Sequence, residues 1–199
     1  MRLVVLGGTR GLGRAVALLA HGAGHTLTVL ARHVADLGAQ AMGVRMVIGD
    51  VTDAVDVERA IAGHDAVLWA VRPAPVRHGA DAFEAGIPFV VAAMREHRVR
   101  RLVCVSCGPA LSARGRFTFR RAMADPGQDL REAPVRTSAL DWTLVRTATL
   151  TQAPATRRCR VLEPDTVRAP RIARADVAAF LVTELERSGY LRKTVLLAG

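Results

Sequence analysis

Aromatic residues are scarce in this chain of 199 residues, making up 4% of it, and Tyr190 is the single tyrosine. Apolar residues nevertheless reach 50%, with alanine and valine the commonest among them. This composition suits helices layered on a sheet better than a small β-barrel. Because domains average about 150 residues, the length predicts one domain spanning the whole chain.

Long apolar runs are missing as well. No stretch reaches the roughly 18 uninterrupted apolar residues that a membrane span requires. The N-terminal residues Met1–Leu6 pass directly into a strand-like run. They lack the basic region, apolar stretch and small-residue cleavage site of a secretory signal. We therefore expect a cytoplasmic protein without a membrane partner.

Acidic residues are outnumbered, since 18 Asp and Glu stand against 28 Lys and Arg and the formal net charge is +10. Such an excess favours a nucleic-acid partner when the basic residues form a patch or a stripe. Here the arginines are scattered and Lys193 is the only lysine. We interpret the short basic runs at 98–101 and 157–160 as solvated ends of helices or strands, and we predict no nucleic-acid partner.

Cysteine is limited to three residues, Cys104, Cys107 and Cys159. The sequence CVSC has the C-x-x-C spacing of a redox pair. Redox pairs of that kind lie at a helix N-terminus, which lowers the thiol pKa, whereas RLVCVSCG is typical of a buried strand. Residues three apart in a strand point to opposite faces, so these thiols would not meet. We predict core cysteines and no metal site.

Seven strand-like runs alternate with helical patterns along the chain. They are nearly continuous in Val, Ile and Leu, as are strands buried on both faces. The runs are RLVVLG from Arg2, TLTVLAR from Thr26, VRMVIGD from Val44, DAVLWAV from Asp65, RLVCVSC from Arg101, DWTLVR from Asp141 and KTVLLAG from Lys193. Helices are predicted at Leu12–Ala23, Ala54–Ala62, Ala80–His97 and Ala175–Arg187. This alternation predicts an α/β protein with a Rossmann-like, doubly wound parallel sheet in a single domain.

Two segments interrupt this alternation. Residues 109–134 are rich in Pro and Arg, and residues 147–170 carry three prolines and little helical pattern. Both follow strands of the second half of the sheet, at the edge where open α/β sheets bind ligands. We predict that they cover a substrate; ordinary long surface loops are the alternative.

Glycines at positions 7, 11 and 13 follow the first strand and precede the first helix, in the sequence LGGTRGLGRAVA. Their G-x-x-x-G-x-G spacing allows a tight turn and lets the backbone approach a phosphate closely. The N-terminus of the following helix offers unpaired N–H groups and partial positive charge. Gly7, Gly11 and Gly13 are therefore predicted to bind the pyrophosphate of a dinucleotide.

The end of the second strand indicates which dinucleotide is bound. Proteins that bind NAD usually place an acid about 20 residues after the glycines, where it contacts the ribose. Here the strand ends in LARH, with Arg32 and no carboxylate. Arginine forms charge-assisted bonds with a 2′-phosphate. We predict NADPH over NADH, with Arg10 as a second contact; the alternative is that Arg32 is only a solvated residue.

The third strand ends in IGDVTD, with Asp50 at its C-terminus. The carboxylate of Asp50 could accept a hydrogen bond from the amine of an adenine. The alternative is a helix N-cap for the following segment, a role that Thr52 or Asp53 suits at least as well.

Together these motifs resemble those of a known family. The sequences GGTRGLG, AMREHRVRRLVCVS, LDWTLVR and IARADVAAFLVTEL are similar to those of atypical short-chain dehydrogenase/reductases of the NAD(P)H-binding, NmrA-like group, nearest to the biliverdin reductase B (flavin reductase) type. The resemblance covers essentially the whole chain. Two positions depart from the group: Arg10 replaces a middle glycine, and Thr147 stands where members often have proline.

The resemblance implies roles for particular residues. Thr9, Arg10, Gly11 and Leu12 would line the pyrophosphate, and Arg32 would bind the 2′-phosphate. Asp50 and Val51 would lie at the adenine. The ribose and the nicotinamide would be bordered by the residues that follow the fourth, fifth and sixth strands, which are Ala70, Val71, Arg72, Ser106 and Thr147–Thr149.

Catalytic residues are few. The Tyr-x-x-x-Lys motif of tyrosine-dependent relatives is missing, because Tyr190 and Lys193 lie only three residues apart near the end of the chain. Ser106 could orient a carbonyl group, and His78 titrates in a suitable range, although a loop histidine is more often a surface residue. The resemblance implies a proton from solvent and catalysis mainly by positioning.

Two functional hypotheses follow. The first is an NADPH-dependent reductase that transfers a hydride to a flat conjugated or carbonyl small molecule such as a flavin or quinone. The second is a non-catalytic NADP(H)-binding redox sensor that acts through a protein partner, which should expose an apolar patch. We expect a monomer or a homodimer in either case. Epimerase chemistry is less favoured because a tyrosine base is missing.

Overall fold

The computed structural model describes residues 1–33, 43–71, 81–106, 126–147, 149–162 and 171–199. Within these residues an eight-stranded sheet has the order β3-β2-β1-β4-β5-β6-β10-β8. All neighbouring strands are parallel except β8, which runs antiparallel to β10. The strands are β1 (Arg2–Leu6), β2 (Thr26–Ala31), β3 (Arg45–Ile48), β4 (Ala66–Trp69), β5 (Arg101–Val105), β6 (Asp141–Thr147), β8 (Arg160–Val161) and β10 (Lys193–Ala198). Two more short strands, β7 (Thr149–Thr151) and β9 (Arg171–Ala173), pair in parallel beside this sheet.

Helices cover both faces of the sheet. They are α1 (Gly11–Gly22), α2 (Ala54–Ile61), α3 (Ala82–Glu96), α4 (Pro126–Arg136) and α5 (Arg174–Arg187). Helices α1 and α5 pack together on one face, and α2, α3 and α4 pack on the other. The apolar core therefore has two layers, and the predicted Rossmann-like α/β fold in one domain is confirmed.

The central strands are mostly apolar because both of their faces are buried. All four residues of β4 are buried, and so are all five of β5. Polar residues mark the helix ends instead: the Asp53 side chain accepts hydrogen bonds from the first-turn N–H groups of α2, and Asp81 does the same for α3. Local caps and buried runs thus divide the chain at the predicted places.

The winding of the chain reverses at β1, which pairs with β2 on one side and β4 on the other. A crevice forms at such a reversal, outside the C-terminal ends of the strands, and open α/β sheets bind their ligands there. We call this side of the sheet the carboxyl edge and the opposite side the amino edge.

The structure differs from the sequence-based predictions in the two irregular segments, residues 109–134 and 147–170. Helix α4 begins in the second half of residues 109–134 and ends just beyond it, at Arg136, and β7 and β8 form within residues 147–170. Residues 109–125, 148 and 163–170 lie outside the described part, so the predicted covering role stays a prediction. Cys104 is buried as predicted and Cys159 is half-buried, whereas Cys107 lies outside the described residues. Within the described ranges no helix is long and apolar enough to span a membrane.

Candidate cofactor site

The turn after β1, residues 7–11, is hereafter the glycine loop. Gly7 has a φ of +86°, and a Cβ atom there would lie 2.9 Å from the backbone of Ala70 and Val71. At Gly13 a Cβ atom would lie 2.2 Å from the carbonyl oxygen of Gly7. Only glycine fits at these two positions, because backbone packs on backbone where β1, β4 and α1 meet.

The N-terminus of α1 opens at the centre of this crevice. Arg10 occupies the N-cap position in an extended conformation, but its side chain makes no capping hydrogen bond, and the first turn contains no acid. At Gly11, which has a φ of +56°, a Cβ atom would meet nothing within 4 Å. An uncapped helix end beside open space presents N–H groups and partial positive charge, which is what a pyrophosphate requires. The glycine loop therefore fits a dinucleotide.

The end of β2 carries the predicted selectivity residue. Ala31 is buried, and the next two residues, Arg32 and His33, are exposed. Neither supplies a carboxylate, and residues 34–42 lie outside the described part. The Arg32 guanidinium is thus accessible at the carboxyl edge, one strand away from the glycine loop.

Two acids that follow β3, Asp50 and Asp53, make different contacts. The Asp53 carboxylate accepts hydrogen bonds from the N–H groups of Val55 and Asp56 at 2.9 and 3.1 Å, and it is the N-cap of α2. The Asp50 carboxylate accepts from the N–H and the hydroxyl of Thr52, both at 2.9 Å. Asp50 therefore closes the turn that leads to α2, and its predicted contact with adenine stays a prediction.

Residues after β4 join the crevice to β1. The Ala70 N–H donates to the carbonyl of Leu6 at 2.9 Å, so Ala70 lies against the start of the glycine loop. Val71 follows and is half-buried. Two predicted site residues, Arg72 and His78, lie outside the described residues.

Ser106 follows β5 and is fully buried. Its N–H donates to the carbonyl of Val145 at 3.0 Å, so the backbone still follows β6 at this point. Its hydroxyl donates to a carboxylate oxygen of Glu132 and accepts from the side-chain amide of Gln128. The side chain thus contacts α4, a contact that the sequence reading did not foresee.

These contacts belong to a polar cluster, the Glu132 network, which has a buried centre of Ser106, Gln128, Glu132 and Arg146 and a partly exposed rim of Asp129 and Arg136. Arg146 lies on β6 and is 2% exposed; it donates to both Glu132 oxygens, at 3.0 and 2.8 Å, and to Asp129 at 2.9 Å. Arg136 also donates to Glu132, at 2.7 Å. Burial raises the pKa of Glu132, but the hydrogen bonds from Arg146, Ser106 and Arg136 outweigh it, so that the pKa lies below its ordinary value.

Sequence reasoning missed this network, although a signal was present. Arg146 directly follows the apolar residues Leu144 and Val145 of β6, and an arginine buried in a central strand requires an ionic partner. Gln128, Glu132 and Arg136 repeat every four residues, which is the spacing of one helix face. The signal was weak because the neighbouring prolines and glycines favoured a loop.

The remaining polar candidates lie at opposite edges of the sheet. Thr147 ends β6 at the carboxyl edge and is half-buried. Lys193 begins β10 at the amino edge, and Tyr190 precedes it there, with its ring 5.7 Å from that of Phe180. Tyr190 and Lys193 cannot take part in chemistry at the glycine loop, because the length of a strand separates the amino edge from the carboxyl edge.

The chain aligns with solved structures over nearly its whole length. Anaerobilin reductase ChuY from Escherichia coli O157:H7 is 21% identical with a TM-score of 0.80, and the alignment covers 100% of this chain and 97% of that one. A short-chain dehydrogenase/reductase (wide type) from Veillonella parvula DSM 2008, in complex with NADP, is 13% identical with a TM-score of 0.77, covering 100% and 94%. A Rossmann-fold NAD(P)-binding family protein from Shigella flexneri is 20% identical with a TM-score of 0.75, covering 98% and 92%. These similarities establish the fold.

The family itself is identified by sequence. The profile of a family described as NAD(P)H-binding matches residues 7–188. The match begins at the first glycine of the glycine loop and continues to the residue after α5, so it includes every part of the crevice described above. The chain belongs to the NAD(P)H-binding family.

Proposed function

We propose that this protein is an NADPH-dependent reductase that transfers a hydride to a flat conjugated or carbonyl small molecule. One observation carries the proposal: in a chain of the NAD(P)H-binding family, the uncapped N-terminus of α1 opens at the reversal between β1 and β4. The motif resemblance to the biliverdin reductase B type of atypical short-chain dehydrogenase/reductases supports the same function. The site also lies at the carboxyl edge, where open α/β sheets bind their ligands.

NADPH, when bound, supplies the hydride, and the residues of the chain bind and orient it. The N–H groups at the start of α1 bind the pyrophosphate, and Arg32 binds the 2′-phosphate that distinguishes NADPH from NADH. Neither Arg32 nor His33 is acidic, so these two residues do not repel that phosphate. Positioning of this kind can contribute a large part of the rate enhancement.

The proton is proposed to come from solvent. The hydroxyl of Ser106 donates to the Glu132 carboxylate and is fully buried, so its proton is not offered to a substrate. Tyr190 and Lys193 lie at the amino edge. Conjugated acceptors such as flavins and quinones stabilise the charge of the reduced product themselves and therefore need a positioned acid less than simple ketones do.

The test combines cofactor binding with turnover. We expect calorimetric titration to give tighter binding of NADPH and NADP⁺ than of NADH, and we expect NADPH oxidation, followed by absorbance, with at least one flavin or quinone. Absence of NADPH binding would refute the proposal. Binding of NADPH without oxidation by any acceptor would favour the alternative of a redox sensor that acts through a protein partner.

A further inference from the structure

A second concave region lies at the carboxyl edge beyond β6. It is a broad cavity of about 770 Å³, hereafter the arginine cavity, lined by Thr151, Ala153, Thr156, Arg158, Arg171, Ile172, Ala173 and Gly199. This volume is large enough for a small organic ligand, which would remain partly exposed because the region is open to solvent. None of these residues belongs to the glycine loop or to the other predicted cofactor contacts.

The lining combines apolar residues with unpaired positive charge. Most of the exposed lining is apolar, although the side chains of Ile172 and Ala173 are almost fully buried, and Arg158 and Arg171 are exposed at the border of the cavity. Within the part of the chain that the structure describes, no Asp or Glu side chain lies within 4 Å of either guanidinium. The Gly199 oxygen, which also belongs to the lining, accepts a hydrogen bond from Arg160 at 3.3 Å. The cavity thus matches a ligand with an apolar body and an anionic group.

A buried carboxylate holds one wall of the cavity in place. Asp176, on α5, is 3% exposed and accepts hydrogen bonds from the N–H and hydroxyl of Thr156, at 3.0 and 2.6 Å, and from the N–H of Arg157, at 2.9 Å. Arg157 has a φ of +57°, which is unusual for a residue other than glycine. The next residue is Arg158. A strained backbone held by a buried acid indicates that the position of Arg158 is built into the fold.

The arginine cavity lies at the same edge of the sheet as the candidate cofactor site, beyond β6. The N–H of Gly199 donates to the carbonyl of Arg171 at 3.2 Å, so the cavity lies where β10 ends. Strand β10 is the neighbour of β6, which ends at Thr147. Because neighbouring strands are about 4.8 Å apart, the end of β10 and the end of β6 are separated by less than the length of a flat molecule of two or three rings.

We propose that the arginine cavity binds the anionic group of the hydride acceptor. The acceptor is then a flat, apolar molecule that carries a carboxylate or phosphate, and this anion lies between Arg158 and Arg171. The assignment of the ligand as an acceptor rests on the proposed reductase function; the binding of a flat organic anion does not. Guanidinium groups suit this role because they form charge-assisted, often bidentate, bonds with carboxylate and phosphate.

The test uses flavin mononucleotide and riboflavin, which share one ring system and differ by a terminal phosphate. Flavin fluorescence is titrated with protein in the presence of excess NADP⁺, which keeps the phosphates of the probe away from the glycine loop. We expect flavin mononucleotide to bind about tenfold more tightly than riboflavin, as one or two screened charge-assisted bonds would allow. The preference should decrease as salt is added, because both arginines are exposed.

The double substitution Arg158→Gln, Arg171→Gln should abolish the preference while leaving the affinity for riboflavin unchanged. Arg45→Gln is the control, because it removes an exposed arginine at the start of β3, at the amino edge. Equal affinities for the two flavins, no binding of flavin mononucleotide, or a preference that persists in the double variant would each overturn the proposal. Failure of the reductase function is separate: it would appear as absent NADPH binding or oxidation, whatever the arginine variants do.

Discussion

Arg32 is the residue on which cofactor selectivity depends. Arg32→Gln should raise the Kd for NADPH about tenfold or more and leave the Kd for NADH unchanged, because only NADPH carries the 2′-phosphate that the guanidinium would bind. Calorimetric titration of both cofactors checks this. Arg45→Gln again serves as the control for net charge, since Arg45 is exposed at the amino edge. If Arg32→Gln weakened the binding of NADPH and NADH equally, Arg32 would not contact the 2′-phosphate.

Gly13 and Gly22 lie on the same helix and form a matched pair. A Cβ atom at Gly13 would lie 2.2 Å from the Gly7 carbonyl oxygen, whereas one at Gly22 would meet nothing within 4 Å. Gly13→Ala should therefore displace the glycine loop, lowering the free energy of unfolding by about 1–3 kcal/mol and weakening NADPH binding. Gly22→Ala should be neutral or slightly stabilising. Urea unfolding and NADPH titration measure both effects, and similar results for the two variants would refute the packing argument.

At the scale of elements, the Glu132 network attaches α4 to β5 and β6. Glu132→Gln leaves Arg146 buried with less negative charge beside it, and the free energy of unfolding should fall by about 3 kcal/mol. Asp129→Asn is the matched control: Asp129 contacts the same two arginines, at 2.9 and 3.1 Å, but its side chain is 46% exposed. Its loss should cost less than about 1 kcal/mol, because solvent screens the exposed pair. Urea unfolding would contradict this account if the two variants were equally stable.

The elements also differ in how well local sequence predicts them. Strands β1 to β6, strand β10 and helices α1, α2, α3 and α5 lie within about two residues of their predicted bounds, because apolar periodicity and capping acids are local signals. Helix α4 was not predicted, since its two prolines, Pro126 and Pro134, and Gly127 suggest a loop. Its polar face is buried against Ser106 and Arg146, and those partners lie about 20 residues before and 10 residues after it in the chain.

For the whole molecule, buried carboxylates determine the response to acid. Burial raises the pKa of Asp176, but hydrogen bonds from Thr156 and Arg157 outweigh it, and the pKa lies below its ordinary value of 3.8. The pKa of Glu132 likewise lies below its ordinary value of 4.5. A carboxyl group whose pKa is lowered by folding stabilises the folded state fully when the pH is above its ordinary pKa. This contribution is lost as the pH falls through the lowered pKa of the folded state.

The free energy of unfolding should accordingly be flat with respect to these two groups from pH 7 to pH 5 and fall below about pH 4.5, by at most about 1.4 kcal/mol per pH unit for each group. Urea unfolding at a series of pH values measures this dependence. Glu132→Gln should make the decline shallower, because one of the two titrating groups is removed. An equally steep decline in that variant would show that other acids are responsible.

The sequence by itself determined the layered fold, the order of strands and helices, the glycine loop and the lack of a Tyr-Lys pair, because each depends on residue type, spacing or order along the chain. Only the tertiary structure decided that Ser106 faces Glu132, that Asp176 holds the loop before Arg158, and that Tyr190 and Lys193 lie at the amino edge. Partners of this kind are 20 or more residues apart or depend on which edge of the sheet a residue reaches. Such proximity arises only when parallel strands align and bring their ends together, and no local spacing in the sequence identifies which residue will be the partner.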